Sequence, residues 1–402
     1  NLITVYTPCT DIFLVRRVLA SCCGLEEKSI IVEGCFPDDH LDGKLWYPAI
    51  IAAQAAAAAI RIQKPVRVLF SHLEDNNFTP KRSPATIRID SALDDKGKVT
   101  AIEASVDIDM GSYPVGAEQI LDRMMLQVCG RYKIPAVKVQ GRVLSTNVPP
   151  LGFFDGWGES ACNFAVETHY NRIAEVNLED PSAFRLRTLT PNGKRLGSGG
   201  IAAHTDRIEG VLKEVVRMSN FSRKQAAYEL QKKRRNHDSM RSSSLRGIGI
   251  AKAVLPPMFT GKLEQRQASY AGIRLEKDGS ATILSSIHPG SAASELAWKK
   301  IVADTLGLSV SSVRISEPRT DSCPDTGPGT LSRGITIASK IIESCALAAS
   351  KQRSSEGLPI EVTRPFRLPK GYSKDALDSA IDPYPLASAA AAVTEAELES
   401  TP

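Results

Sequence analysis

The order of strand-like and helix-like segments is the sequence feature that most restricts the fold of this chain. A short βαβ pattern at the start precedes two strands of alternating apolar and polar residues around a turn at residues 94–97. Helical periodicity fills the middle of the chain. A second hairpin, turning at residues 278–279, then leads to a helix near Ala292–Leu306, a strand and a helix at residues 331–351. This order predicts an α+β protein with two lobes and not a single doubly wound sheet.

Three apolar segments have simple local interpretations. Residues 66–71 read as a buried strand, because β-branched and aliphatic residues dominate them. Residues 47–60 and 386–398 are rich in alanine, the best helix former, and predict a buried helix and a second helix respectively. No apolar run reaches eighteen residues, so we expect no membrane span.

Length and composition favour a soluble protein of more than one domain. The chain has 402 residues, of which 42% are hydrophobic and 24% charged. It opens on Asn1 without a methionine or a visible signal peptide, and we expect a fragment. Its eight cysteines are dispersed, without C-x-x-C pairs, which is typical of reduced thiols in the cytoplasm. The same dispersal predicts neither a zinc site nor an iron–sulfur cluster in this chain.

One basic segment, residues 223–235, stands out from a net charge of only +5. A solvated helix face is the favoured interpretation, and an anionic partner is the alternative. Nucleic acid is an unlikely partner, because aromatic platforms and recognisable binding modules are both missing from the sequence.

Two glycine-rich loops and one acidic loop are the segments that suggest a ligand. Residues 151–160 and 324–334 each precede a helix, where free amides attract anions; an ordinary helix-entry turn is the competing interpretation of both. Residues 37–43 gather three carboxylates and a histidine. They lack the regular ligand alternation of a calcium loop, so a solvated acidic loop is favoured and no metal site is predicted.

Several segments, in the right order, carry a resemblance to a known family. Residues 3–36 contain V-R-x-x-L-A and end where that family has a glycine-rich G-G-F loop. Residues 144–167 are similar, without gaps, to its F-R-G-F-G segment, and residues 316–340 to its D-T-x-x-x-P-D-S-G segment. The chain thus resembles the molybdenum-cofactor-binding part of the xanthine dehydrogenase and aldehyde oxidase large subunit. The resemblance implies a two-lobed α+β molybdopterin-binding domain, with lobes at residues 1–240 and 241–402, the second shortened.

The resemblance also implies which residues contact the cofactor and which do the chemistry. In the family a glutamate activates a molybdenum hydroxide, a glutamine orients the metal oxo group and an arginine steadies substrate charge. Here the arginine position holds Asp155, the glutamine position lies near Ala293, and Pro383 stands at the glutamate position, with Asp382 as a displaced alternative. No catalytic residue is therefore assigned. The cofactor contacts implied by the resemblance are Gly34, Phe36, Gly156, Gly158, Thr330 and Ser332.

Two functions follow from the resemblance and remain open at this point. One is a molybdopterin-dependent oxidoreductase that hydroxylates an N-heterocycle or an aldehyde with unfamiliar residues. The other is a catalytically inactive paralogue, or pseudoenzyme, that serves as a structural or partner subunit without bound molybdenum cofactor. In both cases the resemblance implies partner subunits or domains that carry iron–sulfur clusters and FAD, no flavin in this chain, and the family's habit of forming homodimers.

Overall fold

The structure is a computed structural model that describes residues 2–35, 42–237, 244–256, 258–259, 267, 269–368, 370 and 387–399. Within them the helices are α1 (Ile12–Cys23), α2 (Tyr47–Ile62), α3 (His72–Phe78), α4 (Ala117–Cys129), α5 (Glu159–Val176), α6 (Pro181–Thr188), α7 (Thr205–Ser219), α8 (Phe221–His237), α9 (Ala292–Leu306) and α10 (Ser339–Glu356). The strands are β1 (Ile3–Pro8), β2 (Ile30–Cys35), β3 (Ala85–Leu93), β4 (Val99–Asp109), β5 (Ala136–Leu144), β6 (Ser244–Leu255), β7 (Tyr270–Leu275), β8 (Ala281–Leu284), β9 (Val313–Ile315), β10 (Ile360–Pro365) and β11 (Ser388–Glu399). The α+β class is confirmed.

A three-stranded sheet of order β3-β4-β5 organises the largest hydrophobic core. β3 and β4 are antiparallel, and the amide of Gly97 donates to the carbonyl of Asp94 at 2.8 Å, which confirms the predicted hairpin. β4 and β5 are parallel, and α4 makes the connection between them. α5 packs against α4 and β3. Trp157, which lies just before α5, and Phe184 on α6 are buried in this core. The sheet and these two helices hold the first glycine loop in place.

A second sheet, of order β10-β7-β8-β9, forms a separate core with α9 and α10. β7 and β8 make the predicted hairpin, and β8 and β9 run parallel on either side of α9. Trp298 is fully buried here and donates from Nε1 to the carbonyl of Gly334 at 3.1 Å. This bond fixes the short π-helix Gly334–Ala338, through which the second glycine loop enters α10.

The alanine-rich segment near the C-terminus is a strand, so the predicted helix at residues 386–398 is wrong. β11 pairs antiparallel with β6 along twelve residues, from Ser388 opposite Leu255 to Glu399 opposite Ser244. Alternate β11 side chains, among them Ala391 and Val393, pack on the largest core. Pairing with a distant strand overrides the helix propensity of alanine, which sequence periodicity does not reveal. β6 and β11 follow residue 240 in sequence but pack on the largest core, which the first lobe forms. The predicted boundary between lobes at residues 240–241 stays a prediction.

The predicted strand at residues 66–71 is also wrong, because the segment is an extended connection without ladder partners among the described residues. Leu69 keeps 76% of its surface exposed. Ser71 then starts α3 with a capping box, accepting from the amide of Glu74 while the Glu74 carboxylate accepts from the amide of Ser71.

Helix α2 is only partly buried, which corrects the prediction of a buried helix at residues 47–60. Ala49, Ala52 and Ala56 pack against α1 and the parallel pair β1-β2, whereas Ile50, Ile60 and Ile62 are exposed. By length and composition alone, the segment Asp42–Ile62 is long and apolar enough to cross a membrane. The core helix of a soluble protein passes the same test, so this observation is weak evidence for a membrane span.

The basic segment at residues 223–235 belongs to α8, whose surface is largely exposed, as predicted for a solvated face. Two of its side chains contact an acidic residue of the same chain. The Lys224 ammonium forms an ion pair with Glu395 on β11, and the Tyr228 hydroxyl donates to the same carboxylate at 2.7 Å.

Candidate functional site between the two glycine loops

The first glycine loop enters α5 through three consecutive residues of positive φ. These are Gly156 at 78°, Trp157 at 45° and Gly158 at 84°. A Cβ at Gly158 would lie 2.5 Å from Cγ of Met124, so this glycine permits close packing against α4. The loop is therefore a packed helix-entry turn, as one sequence interpretation held, and its left-handed backbone turns the amide of Gly156 toward a neighbouring carboxylate.

The second glycine loop also carries left-handed residues, and two of them are not glycines. Leu331 and Ser332 have φ values of 54° and 60°, a conformation that costs about 1–3 kcal/mol for such residues and recurs at ligand sites. Thr330 is fully buried, and its Oγ1 has no hydrogen-bond partner in the described part of the chain. The helix predicted from residue 331 begins three residues later, because Leu331 and Ser332 are not helical.

Asp42 joins the two loops. Its carboxylate oxygen Oδ1 accepts from the amide of Leu331 at 3.1 Å, and the amide of Gly156 also donates to this carboxylate. The amide of Asp42 in turn donates to Oδ1 of Asp155 at 3.0 Å. Asp42 is only 3% exposed, and burial, reinforced by the Asp155 charge, raises its pKa to about 6.

Beside this carboxylate lies an aromatic pair flanked by a buried arginine. The rings of Trp157 and Phe259 stack with centroids 5.2 Å apart, and Arg123 approaches Trp157 with Cζ 5.9 Å from the ring centroid. Arg123 is fully buried and donates to the carbonyls of Met258 at 2.7 Å and Pro256 at 2.8 Å. The site thus retains a cation, delivered by α4 and not by the loop position that Asp155 occupies.

Glu159 is the ion-pair partner of Arg123. Its Oε1 lies 2.6 Å from a terminal nitrogen of the guanidinium, and the side chains are 2% and 0% exposed. Burial, reinforced by the charge of Asp42, raises the pKa of Glu159 to about 7 against the attraction of Arg123. A carboxyl that titrates near neutrality beside a fixed cation is chemically suited to accept and return a proton.

Sequence reasoning missed Arg123, Glu159 and Arg333. Arg333 is 1% exposed, with Cζ 4.3 Å from the centroid of Phe259. A signal for Arg123 existed in the helical pattern, since it shares the core-facing positions of α4 with Ile120 and Met124. A charge on the apolar face of a helix indicates a paired or functional group.

The remaining predicted positions make other contacts or lie outside the described residues, and their assignment as cofactor contacts stays a prediction. Gly34 lies in β2, and its amide donates to the carbonyl of Pro318 at 2.9 Å. A Cβ added to Gly34 would lie 3.0 Å from Cγ2 of Ile12, so the missing side chain permits close packing. Ser332 is half-buried, and its carbonyl accepts from Thr336. Ala293 lies exposed on the first turn of α9. Phe36, Asp382 and Pro383 lie outside the described residues, as does most of the acidic loop.

The residues present at the centre do not fit an anionic cofactor group. Unpartnered buried donors, Oγ1 of Thr330 and Nε1 of Trp157, suit a polar ligand. However, the amides of both loops already bind the Asp42 carboxylate, and Asp155 adds a second carboxylate next to it. A phosphate or metal-oxo group there would meet these charges and would have to displace Asp42.

Comparisons with known proteins place most of the chain in one family. A family model described as a molybdopterin cofactor-binding domain matches residues 1–189, and a second model of the same description matches residues 223–354. The chain belongs to the molybdenum hydroxylase family. It is a molybdopterin-binding domain of the xanthine dehydrogenase and aldehyde oxidase type, as the resemblance implied.

Individual relatives share modest identity but the same fold. A protein of Bacillus subtilis, described as a probable subunit of xanthine dehydrogenase, is 26% identical over 311 residues, which are 76% of this chain and 40% of that protein. Xanthine dehydrogenase of Dictyostelium discoideum is 24% identical over 318 residues, 78% of this chain and 22% of the relative. The solved aldehyde oxidoreductase of Desulfovibrio gigas matches with a TM-score of 0.83 and 19% identity, over 98% of this chain and 44% of the other. The chain therefore spans less than half the length of these relatives.

Proposed function

We propose that the chain is a non-catalytic molybdopterin-domain subunit of an oxidoreductase complex related to xanthine dehydrogenase. The observation that carries the proposal is the pair of carboxylates at the junction of the loops. The Asp42 carboxylate accepts a hydrogen bond from an amide of each loop, and the Asp155 carboxylate accepts one from the amide of Asp42. Where the family resemblance implies a cation beside an anionic cofactor, this chain presents two acidic side chains.

This arrangement opposes the family's chemistry for a physical reason. Enzymes accelerate reactions through groups that stabilise charge more strongly in the transition state than in the ground state. Carboxylates at the centre would repel both an anionic cofactor and negative charge developing on the substrate. Ala293 lacks a side-chain hydrogen-bond donor, and the assignment of Pro383 to the base position remains a prediction from the resemblance.

The names of relatives support a role within an assembly. The Bacillus subtilis relative is described as a probable subunit, and another, from Eubacterium barkeri, as the large molybdopterin subunit of nicotinate dehydrogenase. We therefore propose partners that carry the iron–sulfur and FAD centres, with homodimerisation as a further proposal of the same kind.

One observation favours a second candidate, an active hydroxylase that uses other residues. Glu159, with a pKa of about 7 beside Arg123, has the properties of a general base. In this alternative Glu159 would replace the glutamate that the resemblance places at Pro383.

Turnover assays distinguish the two candidates. The chain, purified with any co-purifying subunits, is supplied with xanthine, nicotinate or an aromatic aldehyde and an artificial electron acceptor. The proposal predicts no substrate-dependent reduction of the acceptor. Turnover that disappears in Glu159→Gln but persists in Glu175→Gln, an exposed position on the same helix, would instead establish the hydroxylase.

A further inference from the structure

The amides that converge on Asp42 have the geometry of an anion site. Leu331 donates at 3.1 Å from a left-handed residue, and Gly156, with φ of 78°, donates from the opposite loop. Successive amides exposed by left-handed backbone form concave sites that bind oxygen anions in proteins. Here the anion is a side chain of the same chain, held at the end of the acidic loop.

We infer that Asp42 is an internal anionic ligand that closes an oxyanion site between the loops, and that phosphate takes this site when the carboxylate is removed. The inference rests on the proposed function, in which no cofactor competes with Asp42 for these amides. It extends the proposal because it names the residue that blocks the site, Asp42, and the class of ligand that the amides bind, an oxyanion.

Two buried donors on residues next to the amide-bearing ones in sequence favour a site larger than one carboxylate. Thr330 Oγ1 and Trp157 Nε1 each adjoin one of the donating residues in sequence. They are 0% and 1% exposed and have no hydrogen-bond partner in the described ranges. A buried donor left unpaired is costly and rare, so two of them flanking one pair of amides indicate a site with donors to spare.

The charges around Asp42 explain why the site is closed in the wild-type chain. Asp155 and Glu159 both face it with like charge, and Arg123 opposes them. Adding an external anion to three carboxyl groups and one arginine is unfavourable. Removing the Asp42 carboxylate leaves both amides without an acceptor and removes one negative charge near Arg123. Both changes favour the binding of a monoanion.

The test uses inorganic phosphate as the probe, titrated by calorimetry at pH 6.5 into wild type and Asp42→Gly. Wild type should bind at least about tenfold more weakly, since its Asp42 carboxylate already occupies the amides that would bind phosphate. Asp42→Asn, which removes the charge but keeps a side chain that accepts from the amides, should bind phosphate more weakly than Asp42→Gly. Asp95→Gly in the exposed β3–β4 turn should resemble wild type. Adding Thr330→Val to Asp42→Gly should weaken binding several-fold.

Equal phosphate affinity in wild type and Asp42→Gly would overturn the inference. Circular dichroism checks that the glycine variant is folded; if it is not, Asp42→Ser takes its place with the same expectation. Phosphate results and metal content separate the two claims. A chain free of molybdenum whose Asp42→Gly variant ignores phosphate refutes this inference alone, whereas stoichiometric molybdenum in wild type refutes the proposed function itself.

Discussion

The amide of Leu331 donates a hydrogen bond of 3.1 Å to the carboxylate of Asp42, a residue 289 positions earlier in the chain. This contact joins the helix-entry loop of the second core to the acidic segment near the N-terminus. Because Leu331 adopts a left-handed conformation to make it, the contact holds a strained backbone in place. A structural carboxylate thus occupies the junction where the family resemblance implies a cofactor.

Neutralising Asp42 should stabilise the protein at neutral pH. Its pKa, raised to about 6 by burial, exceeds that of the unfolded chain, so the folded state binds the proton more tightly. The Asp42 carboxyl therefore costs no stability below pH 4, and its cost grows as pH rises through 6. The free energy of unfolding of Asp42→Asn, relative to that of wild type, should increase by about 2 kcal/mol from pH 4.5 to pH 7.5. Urea unfolding at each pH measures this change. Asp95→Asn, an exposed control, should show no such gain; equal behaviour of the two variants would contradict the assignment.

Restoring the family's arginine should not restore activity. In Asp155→Arg the exposed loop position regains a cation, but Ala293 still offers no hydrogen-bond donor and Asp42 still takes both loop amides. We expect no substrate-dependent reduction of an artificial acceptor, with Asp155→Asn as the matched control. Measurable hydroxylation from this single change would show that the base has been placed wrongly.

The buried carboxylate of Glu167 should be essential to stability. It accepts from the Tyr132 hydroxyl at 2.7 Å and from Nε of Arg185 at 2.8 Å, and the Lys252 ammonium lies 3.3 Å away. Burial alone would raise the pKa of Glu167, but Lys252 and Arg185 hold it below its ordinary value. Glu167→Gln leaves two buried cations uncompensated and should lower the free energy of unfolding by about 3–5 kcal/mol. Glu175→Gln, exposed on the same helix, should change it by less than about 0.5 kcal/mol in the same denaturation experiment.

Substitutions at neighbouring positions of β11 should differ in their effect on protein stability. Ala391 packs on the largest core, whereas Ala392 next to it is exposed. Ala391→Asp should lose about 2 kcal/mol or more through a partly buried unpaired charge, and Ala392→Asp should be nearly neutral. Thermal unfolding of the two variants measures the difference. A similar loss in both would be inconsistent with the strand and its register with β6.

Local patterns predicted those elements whose structure depends on neighbours in sequence. The hairpin at residues 94–97 and helix α9 follow from turn residues and helical periodicity. Local patterns did not predict β11 or the connection at residues 66–71. β11 is a strand because it pairs with a strand more than a hundred residues away, and residues 66–71 are not a strand because they have no such partner among the described residues.

The site divides in the same way. Sequence comparison located both glycine loops and the aspartate at position 155, since each lies within a contiguous motif. The pairing of Arg123 with Glu159, and the use of Asp42 as the acceptor for both loops, arise only when α4, α5 and the loops meet. Sequence alone identified residues 37–43 as an acidic loop, but not the contacts that Asp42 makes.

The molybdenum content of the purified chain tests the central claim most directly. The chain is expressed in cells supplied with molybdate and purified with any co-purifying subunits. The metal is then measured by mass spectrometry against protein concentration. Closure of the centre by Asp42 predicts molybdenum far below one atom per chain in the wild type. A content near one atom per chain would contradict the account, because a bound cofactor and the Asp42 carboxylate cannot hold the same amides.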